Sequence, residues 1–295
     1  MMPSIVVSIG EVVWDIFPDH RVLGGAPLNV AYHLSTLGIA TRIVSRVGMD
    51  ALGSTTLEKI LSLGLATDSI QQDNAQATGR VMVTVDAHNE PHFDIVAPAA
   101  WDFMEEKAVV RAAGEEPFLL VFGTLAQRAA ASRAAIRALW QRATVRCYDV
   151  NLRPPFTSRE LVLDSLAVAD VVKMNEKEID VIANWTENGA MDSAQTARDL
   201  LDRYNLQAVL VTEGAAGAWL VCPEGHFTHP GFPVKVADTV GAGDAFFATF
   251  IEGYLLKRSW PECLARANHR GAYVASQPGA TPPMSAYRYS RPISL

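Results

Sequence analysis

The sequence predicts an α/β protein: a largely parallel sheet covered by helices on both faces, with a small β-rich flap added. Three observations lead there. Short apolar runs alternate with helical patterns along most of the chain, the apolar runs are continuous, and two segments break the rhythm. Continuous apolar strands suit a sheet buried on both sides.

The elements follow in order. Residues 5–9 read as a buried strand. Residues 27–37 read as a helix, with Leu28, Ala31, Tyr32 and Leu34/Ser35 on one face and Gly38 as its stop. Strand 118–122 leads to the Ala-rich helix 129–140, strand 145–150 to helix 159–168, and strand 171–174 to helix 176–183. Helix 194–204 leads into strand 208–211. Residues 11–23 and 79–96 interrupt this alternation. In the second segment Val81, Val83 and Val85 alternate with Met82 and Thr84, and a turn follows at His88-Asn89-Glu90, which reads as a hairpin. Both segments fit a lid that closes over a bound molecule and excludes water, or an edge hairpin that only covers the sheet. The 295 residues read as one domain, 1–295, with those segments inserted.

Nearly half the residues are apolar and the formal charge is -7. An acidic chain without a Lys/Arg block argues against nucleic-acid and anionic-membrane partners. Cys147, Cys222 and Cys263 lie far apart, which suggests buried thiols rather than a zinc site or disulfide framework. The N-terminus has no basic stretch before Glu11 and Asp15, and no apolar run reaches membrane-spanning length, so a cytoplasmic location is expected.

Gly241-Ala242-Gly243-Asp244 precedes the apolar pattern 245–256, so a helix should begin close to Gly243. The first amides of a helix lack intrahelical partners and carry partial positive charge, and the small residues admit a ligand to the backbone. Asp244 beside them is placed to take a proton from an attacking hydroxyl while the amides hold a transferring phosphoryl group. Helix-start amides are expected to lower its pKa and weaken it as a base. Read alone, Asp244 is equally a helix cap. Neither a Walker A lysine motif nor a Gly-x-Gly-x-x-Gly after the first strand is present.

The run Asp238-Thr239-Val240-Gly241-Ala242-Gly243-Asp244-Ala245-Phe246 resembles the C-terminal signature of the ribokinase/PfkB carbohydrate kinase family. Leu23-Gly24-Gly25-Ala26-Pro27-Leu28-Asn29-Val30-Ala31 resembles its sugar-binding start, and Arg46-Val47-Gly48-Met49-Asp50-Ala51-Leu52-Gly53 its next landmark. The resemblance runs from Ile5 to about Pro282. It implies a ribokinase-like three-layer α/β/α core with a small β-sheet lid, ATP with Mg2+ as donor, Asp244 as base, and an anion hole at Gly241, Ala242 and Gly243.

The resemblance also assigns Asp15, Gly25 and Asn29 to the sugar. Unaided, these read as a turn acid and a helix-capping Asn. Arg153, in a Pro-rich turn, suits the sugar, a phosphate or the surface. Trp101 and Phe103 suit either the sugar side or the core. Asn175 and Glu178 match the family's Asn-x-x-Glu element for Mg2+ acting through water, though their spacing equally makes a helix cap. Thr212, Gly214, Gly217, Asn268 and Gly279 fall to the ATP pocket. Glu213 stands where many relatives carry a basic residue. Asp238, Val240 and Gly279 resemble a K+ site of some relatives. A homodimer through the lid is the expected association.

Three longer phrases resemble bacterial fructokinase-type members: 10–19, 122–128 and 149–156. These imply transfer of the ATP γ-phosphoryl group to D-fructose, giving D-fructose 6-phosphate. Ala26 stands where a ribose kinase would carry lysine. Other acceptors are ribose, a 2-keto-3-deoxy sugar acid or a nucleoside; for a sugar acid, no clear basic partner is evident near Asp15 or Asn29. A non-catalytic sensing module is disfavoured by the intact Asp244, Gly241 and Gly243.

Overall fold

A computed structural model describes residues 3–85, 91–185 and 192–289. In chain order it runs β1 (Ile5–Ile9), β2 (Val13–Ile16), β3 (Arg21–Gly24), α1 (Ala26–Thr36), β4 (Thr41–Gly48), α2 (Ala51–Ser62), β5 (Ile70–Asp73), β6 (Gly79–Val85), β7 (Pro91–Ile95), α3 (Glu106–Ala113) and β8 (Phe118–Gly123). It continues α4 (Ala130–Trp140), β9 (Val145–Asp149), α5 (Arg159–Leu166), β10 (Val171–Asn175), α6 (Glu176–Trp185), α7 (Ser193–Tyr204), β11 (Ala208–Thr212), β12 (Ala218–Cys222), β13 (Gly225–His229), α8 (Ala242–Leu255) and α9 (Trp260–Ala275).

The main sheet has nine strands in the order β13-β12-β11-β10-β9-β8-β1-β4-β5, parallel except for the antiparallel edge β12 and β13. Side chains alternate between its faces. Along β8, Phe118, Leu120 and Phe122 join one core, which α3 to α7 cover. Leu119 and Val121 join the other, which α1, α8 and α9 cover. This is the expected three-layer arrangement. In α8, Phe246, Phe247, Phe250 and Ile251 are all buried, each contributing about 1.5–3 kcal/mol. That burial anchors the helix whose first turn carries Asp244.

Strands β3-β2-β6-β7 form a separate four-stranded sheet. Both predicted flap segments thus enter one sheet, with β2 parallel to β6 and antiparallel to β3. The predicted turn at residues 88–90 lies outside the described residues. Asp50 tethers this sheet to the core: it caps α2 through the Gly53 amide (2.7 Å) and accepts from the Thr78 amide (2.9 Å) and hydroxyl (2.7 Å). Those three donors hold its pKa low against the opposing effect of burial. Trp101 is fully buried beneath the Arg128 guanidinium, a core role, whereas Phe103 is exposed.

Candidate functional site

The C-terminal ends of β1, β8, β9, β10 and β11 lie along one edge of the parallel sheet. Strand β1 is the point where the order reverses, with β4 on one side and β8 on the other. Open α/β sheets bind ligands at such a crevice. Glu11, Asp149, Asn175 and Thr212 all come at or just after these strand ends, with Lys173 two residues before the end of β10.

Helix α8 begins at Ala242, as the sequence predicts, with Gly241 as N-cap at φ 77°. A Cβ on Gly241 would lie 2.4 Å from the Ala280 Cβ, so this turn requires glycine on both grounds. The first intrahelical bond runs from the Ala245 amide to the Gly241 carbonyl (2.9 Å), so the Gly243 and Asp244 amides precede the ladder. Behind them lies Lys173: a Cβ on Gly243 would come within 3.2 Å of its Nζ. The helix start therefore carries its own partial charge and a full positive charge close by.

Asp244 Oδ2 accepts a 2.8 Å hydrogen bond from Asn29 Nδ2. Two residues 215 positions apart meet, joining α1 to α8. The Asp244 carboxyl is pushed up to about 6, opposite to the expected direction. Burial is the main cause and Asp149 adds to it, while Lys173, the Asn29 bond and Arg153 oppose it. The sequence shows the helix start but not how far the carboxylate is withdrawn from water. The result is a stronger base that is still ionised at neutral pH.

Lys173 is buried within β10 and donates to both oxygens of Asp149, at 3.0 and 3.2 Å. Burial alone would lower its pKa, but Asp149, Asp244 and Glu178 outweigh that and hold it above the ordinary lysine value. Lys173, Asp149 and Glu11 are absent from the sequence-based site. A lysine inside the apolar run Val171-Val172-Lys173-Met174 is the signal, because a buried ammonium needs a buried partner.

On the flap side, Asp15 sits on β2 opposite Val22 of β3. Its carboxyl is also raised to about 6, by burial against the opposing pull of Arg153. Gly25 caps α1 at φ 114°, and a Cβ there would fall 2.4 Å from the Glu11 carbonyl oxygen. Only glycine lets α1 start this close to the segment after β1, and that placement brings Asn29 to Asp244. Arg153 is exposed, and its Nη1 donates to the Leu152 carbonyl (3.0 Å). Its charge nonetheless lowers Glu11, Asp15 and Asp244 together. This corrects the expectation that no basic group stands near Asp15.

A cleft of about 870 Å³ opens on the other side of the α8 N-terminus. Asn175, Thr212, Gly214, Gly217, Ala242, Gly243 and Asn268 line it, so most of the predicted nucleotide residues share one cavity. Asn268 Nδ2 is committed to the Leu264 carbonyl of its own helix (2.8 Å). Glu213 accepts from the Trp219 indole (2.8 Å), which ties its carboxylate to β12. Gly279 is not among the residues that line the cleft: its amide donates to Asp238 Oδ2 (3.0 Å), while the Val240 amide donates to Asp238 Oδ1 (3.0 Å). Asp238, Val240 and Gly279 are thus brought together, by a carboxylate that clamps two loops.

Asn175 and Glu178 form a reciprocal cap. Asn175 Oδ1 accepts from the Glu178 amide and Glu178 Oε2 from the Asn175 amide, both at 2.9 Å, and Glu178 Oε1 accepts from the Leu152 amide (2.9 Å). No group of three or more His, Cys, Asp or Glu that could hold a metal occurs among the described residues. This donor set does not build a metal cage. Asn175 lines the cleft, whereas Glu178 is buried and both its carboxylate oxygens already accept backbone amides.

Comparison with known proteins adds an independent line. Residues 8–286 match the model for the pfkB family carbohydrate kinases. The chain is 32% identical over 266 residues to a fructokinase of Escherichia coli, covering 85% of each. Its fold superposes on the fructokinase of Vibrio cholerae O395 in fructose, ADP and calcium ion bound form with TM-score 0.81, at 26% identity and 94% coverage of each chain. It also superposes on the ATP-bound fructokinase of Xylella fastidiosa with TM-score 0.83, at 23% identity over 95% and 94% of the two chains.

Proposed function

Since the chain belongs to the pfkB family of carbohydrate kinases and is an ATP-dependent sugar kinase, we propose that its acceptor is a ketohexose, D-fructose, phosphorylated on the 6-hydroxyl with Asp244 as base. The observation that carries this reading is the Asn29–Asp244 hydrogen bond, which joins the sugar segment to the helix start that borders the nucleotide cleft.

In this reading Asp15 and Asn29 hold sugar hydroxyls, Asp15 accepting from neighbouring ones. Burial keeps Asp244 basic, and it takes the proton of the attacking hydroxyl. The Gly241 and Gly243 amides and the Lys173 ammonium stabilise the charge that shifts onto the phosphoryl oxygens, the expected Ala242 amide being engaged by the Thr239 carbonyl (3.3 Å). The smaller sheet, tethered through Asp50, closes over the sugar and keeps water from the phosphoryl group. Mg2+ would supply charge neutralisation on the phosphates, with Asn175, on the cleft wall, and Glu178, hydrogen-bonded to it, as the residues that would reach its waters. A K+ ion beside Asp238, Val240 and Gly279 belongs to the same proposal.

ADP release with Mg–ATP across hexoses, pentoses, nucleosides and 2-keto-3-deoxy sugar acids tests the acceptor. D-fructose as the best substrate supports the reading; a pentose or nucleoside preferred by more than tenfold overturns it. One observation favours a second reading: the Arg153 charge that acts on Asp15 and Asp244 would also attract a carboxylate. Turnover of a sugar acid that collapses in Arg153→Met would establish that alternative.

A further inference from the structure

Glu11 follows β1 at the switch point of the sheet and is only 4% exposed. Its Oε2 has no hydrogen-bond partner among the described residues. It lines a cavity of about 10 Å³ together with Pro27, Thr124, Asp149 and Asn151. That space is close to the size of a single water. The carbonyl of Glu11 lies against Gly25, so the residue is held under the start of α1, one turn from Asn29.

The charges around it can be counted. Asp149 on β9 and Asp244 on α8 are negative, and Arg153, in the loop after β9, is the cation that acts on Glu11. Lys173 is already engaged by Asp149 and Asp244. Glu178 also draws on Lys173 and Asp15 on Arg153, so four carboxylates already share these two cations, and an ionised Glu11 would be a fifth, buried and uncompensated negative charge. Such a charge is costly unless the group keeps its proton.

We propose that Glu11 works as a neutral carboxylic acid: a positioning residue that must hold its proton while substrates bind, leaving Asp244 as the basic carboxylate of the site. This rests on the reading of Asp244 as base. Burial, reinforced by Asp244 and Asp149 and opposed by Arg153 and its own backbone amide, lifts the Glu11 carboxyl to about 7. In the free protein above that pH, Glu11 loses its proton to solvent. An arriving nucleotide adds negative charge, so binding draws a proton from solvent back onto Glu11, and product release returns it. The chemical step consumes no proton at this residue.

The consequence is a bell-shaped profile of kcat/KM, rising with ionisation of Asp244 and falling with ionisation of Glu11. The test is that profile for ADP release with D-fructose and Mg–ATP, in the wild type and in Glu11→Gln, where glutamine imitates the protonated acid. For the wild type, kcat/KM at pH 6.5 should exceed that at pH 8.5 by roughly twentyfold, the ratio expected from ionisations near 6 and 7. In Glu11→Gln the ratio should fall to about 1 with the acid limb retained. An alkaline limb that persists in Glu11→Gln overturns the proposal. Should that variant not fold, calorimetry on the wild type decides. ADP binding at pH 7.5, compared in buffers of different ionisation enthalpy, should take up roughly 0.8 proton beyond the ligand's own change. No uptake overturns the proposal. Failure of the Asp244 reading is separately visible, as wild-type turnover by Asp244→Asn.

Discussion

Replacing Lys173 by methionine removes the buried ammonium while keeping a side chain of similar length. Asp149 then loses a partner that donates at 3.0 and 3.2 Å, and it is itself buried. Breaking a buried ion pair on one side costs on the order of 3–5 kcal/mol, because the remaining charge stays uncompensated. For a chain of this size that is a fall in Tm of on the order of 10 °C. Lys173 is also the largest influence holding the Asp244 carboxyl down, so its loss should lift Asp244 above about 6. The acid limb of kcat/KM then moves to higher pH, since more alkali is needed to ionise the base. Thermal melts of Lys173→Met, Asp149→Asn and the double variant measure the first effect, and ADP release against pH measures the second. The double variant should recover much of the lost stability, because Asp149, the carboxylate hydrogen-bonded to Lys173, is no longer left charged and unpaired. A Lys173→Met protein with wild-type Tm, or a double variant less stable than both single ones, would refute the reasoning.

Other outcomes follow from the same geometry. Asp244 has a raised carboxyl, so its contribution to stability is fully present below about 3.8 and lost as pH rises through about 6. Asp244→Asn should therefore melt higher than the wild type at pH 8, with the gap closing at pH 5; a gap that widens towards pH 5 contradicts this. Asp15→Asn should raise the sugar KM severalfold and leave the ATP KM nearly constant, as separate titrations of the two substrates would show. Gly25→Ala combines a φ of 114° with a contact of 2.4 Å to the Glu11 carbonyl. It should lower Tm and reduce kcat together, since α1 must move and carry Asn29 away from Asp244; a fully active, equally stable Gly25→Ala would show the close approach to be unimportant.

Much of the fold is legible because strand and helix periods are local properties. The apolar run at β8 and the pattern of α4 need only their own residues to be read. Joining the segments around β2 and β6 into one sheet was within reach, since neither fits a βαβ unit. The site divides differently. Gly241 to Asp244 announces a helix start within four residues, and Asp15 and Asn29 stand out through their resemblance to a family. The Asn29–Asp244 bond is invisible in sequence, because the partners are 215 positions apart and meet only once α1 starts against the segment after β1, where Gly25 allows the close approach. The direction of the Asp244 shift was hidden for a related reason: helix amides are read locally, whereas withdrawal from water depends on every layer above the sheet. Lys173 and Asp149 look like strand residues until β9 and β10 are paired, with Lys173 directly opposite Asp149 in register.

The most direct test of the central claim is turnover by Asp244→Asn, with sugar and nucleotide affinities measured on the same preparation. Asparagine keeps the shape and an acceptor for Asn29 but cannot take the proton. The account predicts near-normal binding of both substrates and a fall in kcat of about 10²–10⁴, the usual range for a lost general base. An Asp244→Asn protein that releases ADP at the wild-type rate would contradict it.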